Sequence, residues 1–147
     1  MKKFAAIGLF LLAIMVSTFC VGAEIRWETD YKKASQQADT SGKPMFVLFT
    51  GSDWCYWCKR LENDILQNPQ FSSAVGDKFI FVMMDFPKGR PQDPALASQN
   101  QQIADKYNVT GFPTVIILDS KGQYLGKPSY DKDDPQGFAN KVLQNVR

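Results

Sequence analysis

Cys55 and Cys58 lie three residues apart in the stretch Ser52-Asp53-Trp54-Cys55-Tyr56-Trp57-Cys58-Lys59, among three aromatic side chains. Thiols at this spacing support three chemistries: half of a metal site, a structural disulfide, or a reversible dithiol–disulfide couple. A closed zinc site takes four ligands, usually Cys or His. The chain has no histidine and three cysteines in all, so zinc would need carboxylates or a second chain, and no metal is expected. A structural clip closing so short a loop removes little entropy from the unfolded chain, because that stabilisation grows with loop length.

The redox chemistry depends on the elements that hold the pair. Met45 to Phe49 is an unbroken apolar run, the pattern of a strand buried on both faces. Thr50 to Asp53 is a polar turn, and from Trp54 the pattern becomes helical, with Cys58, Leu61 and Ile65 on one face. Cys55 therefore falls where a helix starts. Unpaired backbone N–H groups and the positive end of the helix dipole lower a thiol pKa there. Cys58 lies one turn further in and is expected to be more buried. Residues three apart on a helix have α-carbons about 5 Å apart, within the span of a disulfide. Lys59 adds positive charge nearby, or is an ordinary solvated lysine.

The remaining chain reads as alternating helices and strands. Trp27 to Asp39 carries Trp27, Tyr31, Ala34 and Ala38 at helical spacing, and Ser41-Gly42-Lys43-Pro44 stops it. Asn68-Pro69 caps a short helix to about Val75, and Phe79 to Met84 is a second buried strand. Phe86 to Pro94 is a loop, and Ala95 to Tyr107 is a polar helix anchored by Leu96, Ile103 and Tyr107. Thr114 to Leu118 is a third strand. The turn Asp119 to Gly122 leads to a fourth at Gln123 to Leu125, and Asp134-Pro135 opens a last helix. Strands separated by helices imply parallel crossovers, with an antiparallel hairpin at the end. The expected fold class is α/β, with a mixed central sheet flanked by helices on both faces.

The first 23 residues differ from the rest. Lys2 and Lys3 precede an uncharged apolar run from Phe4 to Val16, and Val21-Gly22-Ala23 supplies small residues. This is the pattern of a cleavable signal peptide, residues 1–23, with cleavage after Ala23. The run is short for a membrane anchor of about 20 residues. Cys20 raises lipidation as an alternative, against which bulky Phe19 argues. Cleavage removes two of the 17 basic residues and none of the 15 acids. Residues 24–147 would then be a single formally neutral domain with Cys55 and Cys58 as its only thiols. No basic stripe marks it for nucleic acid.

Strand, turn, Trp-Cys-x-x-Cys-Lys and helix resemble the active site of the thioredoxin superfamily. Val109-Thr110-Gly111-Phe112-Pro113-Thr114, just before the third strand, strengthens the likeness, which spans about residues 25–147. Trp-Cys-x-Trp-Cys-Lys-x-Leu-Glu with Gly-Phe-Pro-Thr is most similar to small exported thioredoxin-like proteins. The resemblance implies a thioredoxin-like fold and a cis Pro113 lying against the dithiol. It implies a periplasmic thiol-disulfide oxidoreductase, chiefly a disulfide reductase, with no cofactor beyond the Cys55–Cys58 disulfide. Cys55 would be the nucleophile and Cys58 the resolving thiol. Trp54, Tyr56, Trp57, Phe112 and Pro113 would form the substrate rim, with Lys59 in support. The partners implied are disulfide-containing exported proteins and a membrane-embedded electron donor, for a monomeric protein.

Two departures matter. Thioredoxin carries Gly-Pro between its cysteines, where this chain has Tyr56 and Trp57. Thioredoxin also has a buried acid six residues before the first cysteine, where this chain has Phe49. Its proton-transfer role would pass to water, to Asp53 or Glu62, or to nothing. With no histidine to stabilise the thiolate, and aromatic rings disfavouring it by desolvation, a moderately reducing couple is expected. An oxidase or isomerase using the same pair, or a non-catalytic binding module, are the alternatives.

Overall fold

The computed structural model describes residues 24–147. The expected leader, its cleavage after Ala23 and Cys20 lie outside the described residues. The elements are β1 (Trp27–Glu28), α1 (Tyr31–Ser41), β2 (Met45–Thr50), α2 (Tyr56–Leu61), a π-helical turn (Glu62–Leu66), α3 (Pro69–Val75), β3 (Ile80–Asp85), α4 (Pro94–Lys106), β4 (Thr114–Leu118), β5 (Tyr124–Gly126) and α5 (Pro135–Gln144). Among the described residues no helix is long and apolar enough to cross a membrane.

Local chemistry sets most boundaries. Asp30, Asn68, Asp93 and Asp134 each turn a side-chain oxygen onto a free N–H of the first helical turn. Pro69, Pro94 and Pro135 occupy the opening positions of three of those helices, where no backbone donor is needed. Gly42 ends α1 at φ 70°, a left-handed conformation that costs glycine little. The helix expected over Trp27 to Asp39 starts later. Trp27 belongs instead to a two-residue edge strand paired parallel with β3 at Phe81. Its indole packs edge-on against Phe46 and Phe81, at 5.9 and 5.4 Å between ring centres. Two residues are too few to show a period, so helical spacing with Tyr31 prevailed in the sequence.

The five strands form one mixed sheet in the order β1-β3-β2-β4-β5. β1, β3 and β2 run parallel, whereas β4 lies antiparallel to β2, and β5 antiparallel to β4. The crossover through α4 therefore does not yield the parallel strand expected from helix-separated strands. The segment after α4 carries the chain back to the end of the sheet where β3 finished, so β4 enters from that end. Thr114 pairs with Phe49 there.

Alternation along β2 divides the core into two layers. Phe46 and Leu48 face Leu61, Ile65, Phe71, Phe138 and Val142, covering one face with α2, α3 and α5. Met45, Val47 and Phe49 face Ala34, Ala38 and Ala104, covering the other with α1 and α4. The architecture is the thioredoxin-like α/β sandwich expected, with helices on both faces.

Candidate active site

The site is built where β2 and β3 end. These strands are parallel, so their carboxyl ends coincide: Thr50 pairs with Asp85. A short turn leaves β2 and a longer loop leaves β3 there, the usual place for function in such sheets.

From β2, Gly51 accepts the backbone N–H groups of Trp54 and Cys55 and closes the turn. Cys55 is the cap of α2 in extended conformation, and its sulfur accepts the Cys58 N–H at 3.2 Å. This is the helix-start placement read from the sequence. Cys55 and Cys58 are disulfide-bonded, with α-carbons 5.2 Å apart. They are 6% and 3% exposed, so both cysteines are buried beneath the surface at this end of the sheet. The helix then widens into the π-helical turn, which buries Ile65 and Leu66 side by side.

Around this pair stand the exposed aromatics: Trp54, Tyr56 and Trp57 at 41%, 61% and 48%. They form two groups. Trp54 meets Phe112 edge-on at 6.1 Å, and Phe112 stacks on Phe86 at 4.8 Å. Tyr56 and Trp57 lean on each other at 5.2 Å. The Phe112–Pro113 peptide bond is cis. Phe112 and Pro113 line a cleft of about 360 Å³ with Leu61 of α2 and Lys127 to Tyr130. The antiparallel direction of β4 is what delivers this segment to the cysteine end of the sheet. Lys59 is turned back, its ammonium donating to the Asp53 carbonyl at 3.0 Å.

Phe49 is wholly buried in the apolar layer, so no acid stands at that position. Asp53 accepts the backbone N–H groups of Lys88 and Gly89, the latter at 2.7 Å. The Lys88 N–H, aided by that of Gly89 and opposed by slight desolvation, holds the Asp53 carboxyl below its usual range. A carboxylate so engaged is a turn anchor and a poor proton relay. The Glu62 carboxylate accepts from the Gln67 side chain.

Phe86 to Pro94 is the loop expected, but its contacts with the cysteine turn, and those of Asp85 at the end of β3, were not foreseen. The Asp85 carboxylate accepts from the Ser52 N–H and hydroxyl at 2.9 and 2.7 Å and pairs with Arg90 at 2.6 Å. Gln92 and Asn100 side chains donate to the Asp85 carbonyl. The signal available was position: the residues just past two neighbouring parallel strands must adjoin. Among the described residues no three His, Cys, Asp or Glu side chains form a cage for a metal ion.

Residues 31–133 match the model of the thioredoxin-like domain family. The chain is 32% identical to the disulfide bond reductase DsbH of Chlamydia pneumoniae over 125 residues, which is 85% of this chain and 75% of that protein. A solved structure described as DsbH oxidoreductase superposes with a TM-score of 0.80 at 31% identity, covering 86% of this chain and 87% of that one. The thiol:disulfide interchange protein DsbD of Salmonella paratyphi A is 31% identical over 86 residues, 58% of this chain but only 14% of that longer protein.

Proposed function

The chain belongs to the thioredoxin-like domain family, and from that premise we propose that it is an exported thiol-disulfide oxidoreductase that reduces disulfides of other exported proteins. The observation that carries the reading is the Cys55–Cys58 pair, linked across 5.2 Å at a helix start on the end of the sheet that also holds cis Pro113. The 32% identity to a disulfide bond reductase over most of both chains supports the direction.

In the reduced protein, Cys55 is the nucleophile. The Cys58 N–H already points at its sulfur and the start of α2 favours negative charge there. The Cys55 thiolate attacks one sulfur of the substrate disulfide. A Cys55–substrate disulfide forms, and the other substrate sulfur leaves as a thiolate that takes up a proton. Cys58 then loses its proton and attacks the Cys55 sulfur. The intramolecular disulfide forms and the second substrate thiol is released. Two electrons and two protons have passed to the substrate. A second dithiol, supplied by a membrane-embedded donor, restores the pair. Phe49 offers no carboxylate to take the Cys58 proton.

The leader pattern of residues 1–23 and the DsbH likeness support a periplasmic location for a single domain at 24–147. Trp54, Tyr56, Trp57, Phe112 and Pro113 form the apolar ground on which the substrate chain lies, strand-like, across the dithiol.

Insulin reduction by the purified protein tests the activity, and Cys55→Ser should abolish it. Cys58→Ser should instead accumulate mixed disulfides visible on non-reducing gels. A Cys58→Ser protein that captures nothing, with an inactive parent, would leave only a non-catalytic binding module. Equilibration with glutathione tests direction: a reductase stays oxidised in mildly oxidising buffer, whereas an oxidase becomes reduced.

A further inference from the structure

The two tryptophans beside the cysteines each carry a lysine. The Lys88 ammonium lies 3.8 Å from the Trp54 ring centre, and the Lys132 ammonium 6.0 Å from that of Trp57. The negative face of each ring holds its cation in place. Lys88 comes from the loop after β3 and Lys132 from the loop before α5, so unrelated segments deliver charge to the two indoles that flank the disulfide.

Among the described residues, Lys88, Lys127 and Lys132 enter no salt bridge and donate no side-chain hydrogen bond. Lys127 lines the cleft beside Phe112 and Pro113. Several carboxylates of this face pair with other cations, while Asp53 and Asp134 accept only from backbone N–H groups. Asp53 is held by two backbone N–H groups, Asp64 by Arg60, Asp85 by Ser52 and Arg90, and Asp131 and Asp133 by Lys141. Residues 24–147 carry equal numbers of basic and acidic side chains, so what distinguishes this rim is the seating of two ammonium groups on its indoles.

We propose that this face selects disulfides whose cysteines have carboxylates beside them in sequence, a refinement that rests on the oxidoreductase reading above. A substrate cysteine brought to Cys55 carries its neighbours along at about 3.3 Å per residue. One or two residues to either side thus lie well within the screening length of about 8 Å at physiological salt. Aspartate or glutamate there meets Lys88 on one flank or Lys132 on the other. Lysine or arginine meets like charge. Trp54, Tyr56 and Trp57 add apolar contact without regard to sign. Because such contacts lie at an exposed rim, they act on the association rate and fade with salt.

The test uses two synthetic peptides with the same internal disulfide, one flanked by aspartates and one by lysines. Each peptide's rate of oxidising the reduced protein is divided by its rate with dithiothreitol, which removes the effect of flanking charge on the disulfide itself. At low salt the acidic peptide should react about tenfold faster than the basic one. The gap should close at about 0.5 M salt and collapse or invert in Lys88→Glu/Lys132→Glu. The milder Lys88→Gln/Lys132→Gln should narrow it. Equal normalised rates at low salt, or a gap that survives both variants, overturn the proposal. If neither peptide is reduced while dithiothreitol reduces both, the oxidoreductase reading fails first and the selectivity falls with it.

Discussion

The Trp54 indole N–H donates to the Phe86 carbonyl at 2.8 Å, across 32 residues of sequence. This bond joins the residue before the first cysteine to the loop that follows β3. Phe86 also stacks beneath Phe112, and Lys88 of the same loop covers the Trp54 ring. Three segments distant in sequence thus meet around one indole. Trp54→Phe keeps an aromatic ring but removes the donor, and urea unfolding should show a loss of about 1 kcal/mol. A variant as stable as the parent would mean the bond contributes nothing net.

Gly51 is required for space. A methyl group there would lie 2.5 Å from the Trp54 ring. Gly51→Ala must push the indole outward and break its bond to Phe86. A destabilisation of about 1–3 kcal/mol is expected, with slower insulin reduction. The double variant Gly51→Ala/Trp54→Phe should cost less than the sum of the singles, since both act on one contact.

Asp53 makes stability depend on pH. Its folded pKa is lowered, chiefly by the Lys88 N–H, from an ordinary value of 3.8. A depressed carboxyl stabilises the fold above its unfolded pKa and stops doing so as pH falls through the folded one. Comparing Asp53→Asn with the parent should therefore show a constant difference at neutral pH that shrinks below about pH 4. A difference that stays flat to pH 2 would remove Asp53 from the acid limb.

Phe46 is the centre of the helix-bearing layer that includes α3 and α5. It is fully buried and its ring neighbours those of Trp27, Phe71, Phe79 and Phe81. Phe46→Ala should cost about 3–5 kcal/mol. Phe46→Leu, which keeps most of the volume, should cost far less, and denaturant melts of the two separate a cavity from general damage.

Much of the architecture was legible because it is local. Asn68-Pro69 and Asp134-Pro135 announced two helices at the positions found, and Thr114 to Leu118 was read to the residue. The short edge strand at Trp27 and the π-helical turn at Glu62–Leu66 were not, since neither has a period that a few residues can display. Phe86 to Pro94 was legible as a loop but not as the partner of the cysteine turn. Its bonds to Ser52, Asp53 and Trp54, from Arg90, Gly89 and Phe86, cross more than thirty residues.

The sequence alone determined that Cys55 and Cys58 lie within disulfide reach. Three residues at a helix start span 5.2 Å wherever that helix is placed. It also excluded an acid at position 49 and put Tyr56 and Trp57 between the thiols. Tertiary structure alone decided what surrounds them. β4 runs antiparallel to β2, which brings Phe112 and Pro113 to the cysteine end; a parallel strand would have left them at the opposite end, about 17–20 Å away. Asp85 at the end of β3 clamps the turn, and Lys88 and Lys132 reach the two indoles. Strand direction and loop contact are set by burial of the whole sheet, a long-range term that no local spacing encodes.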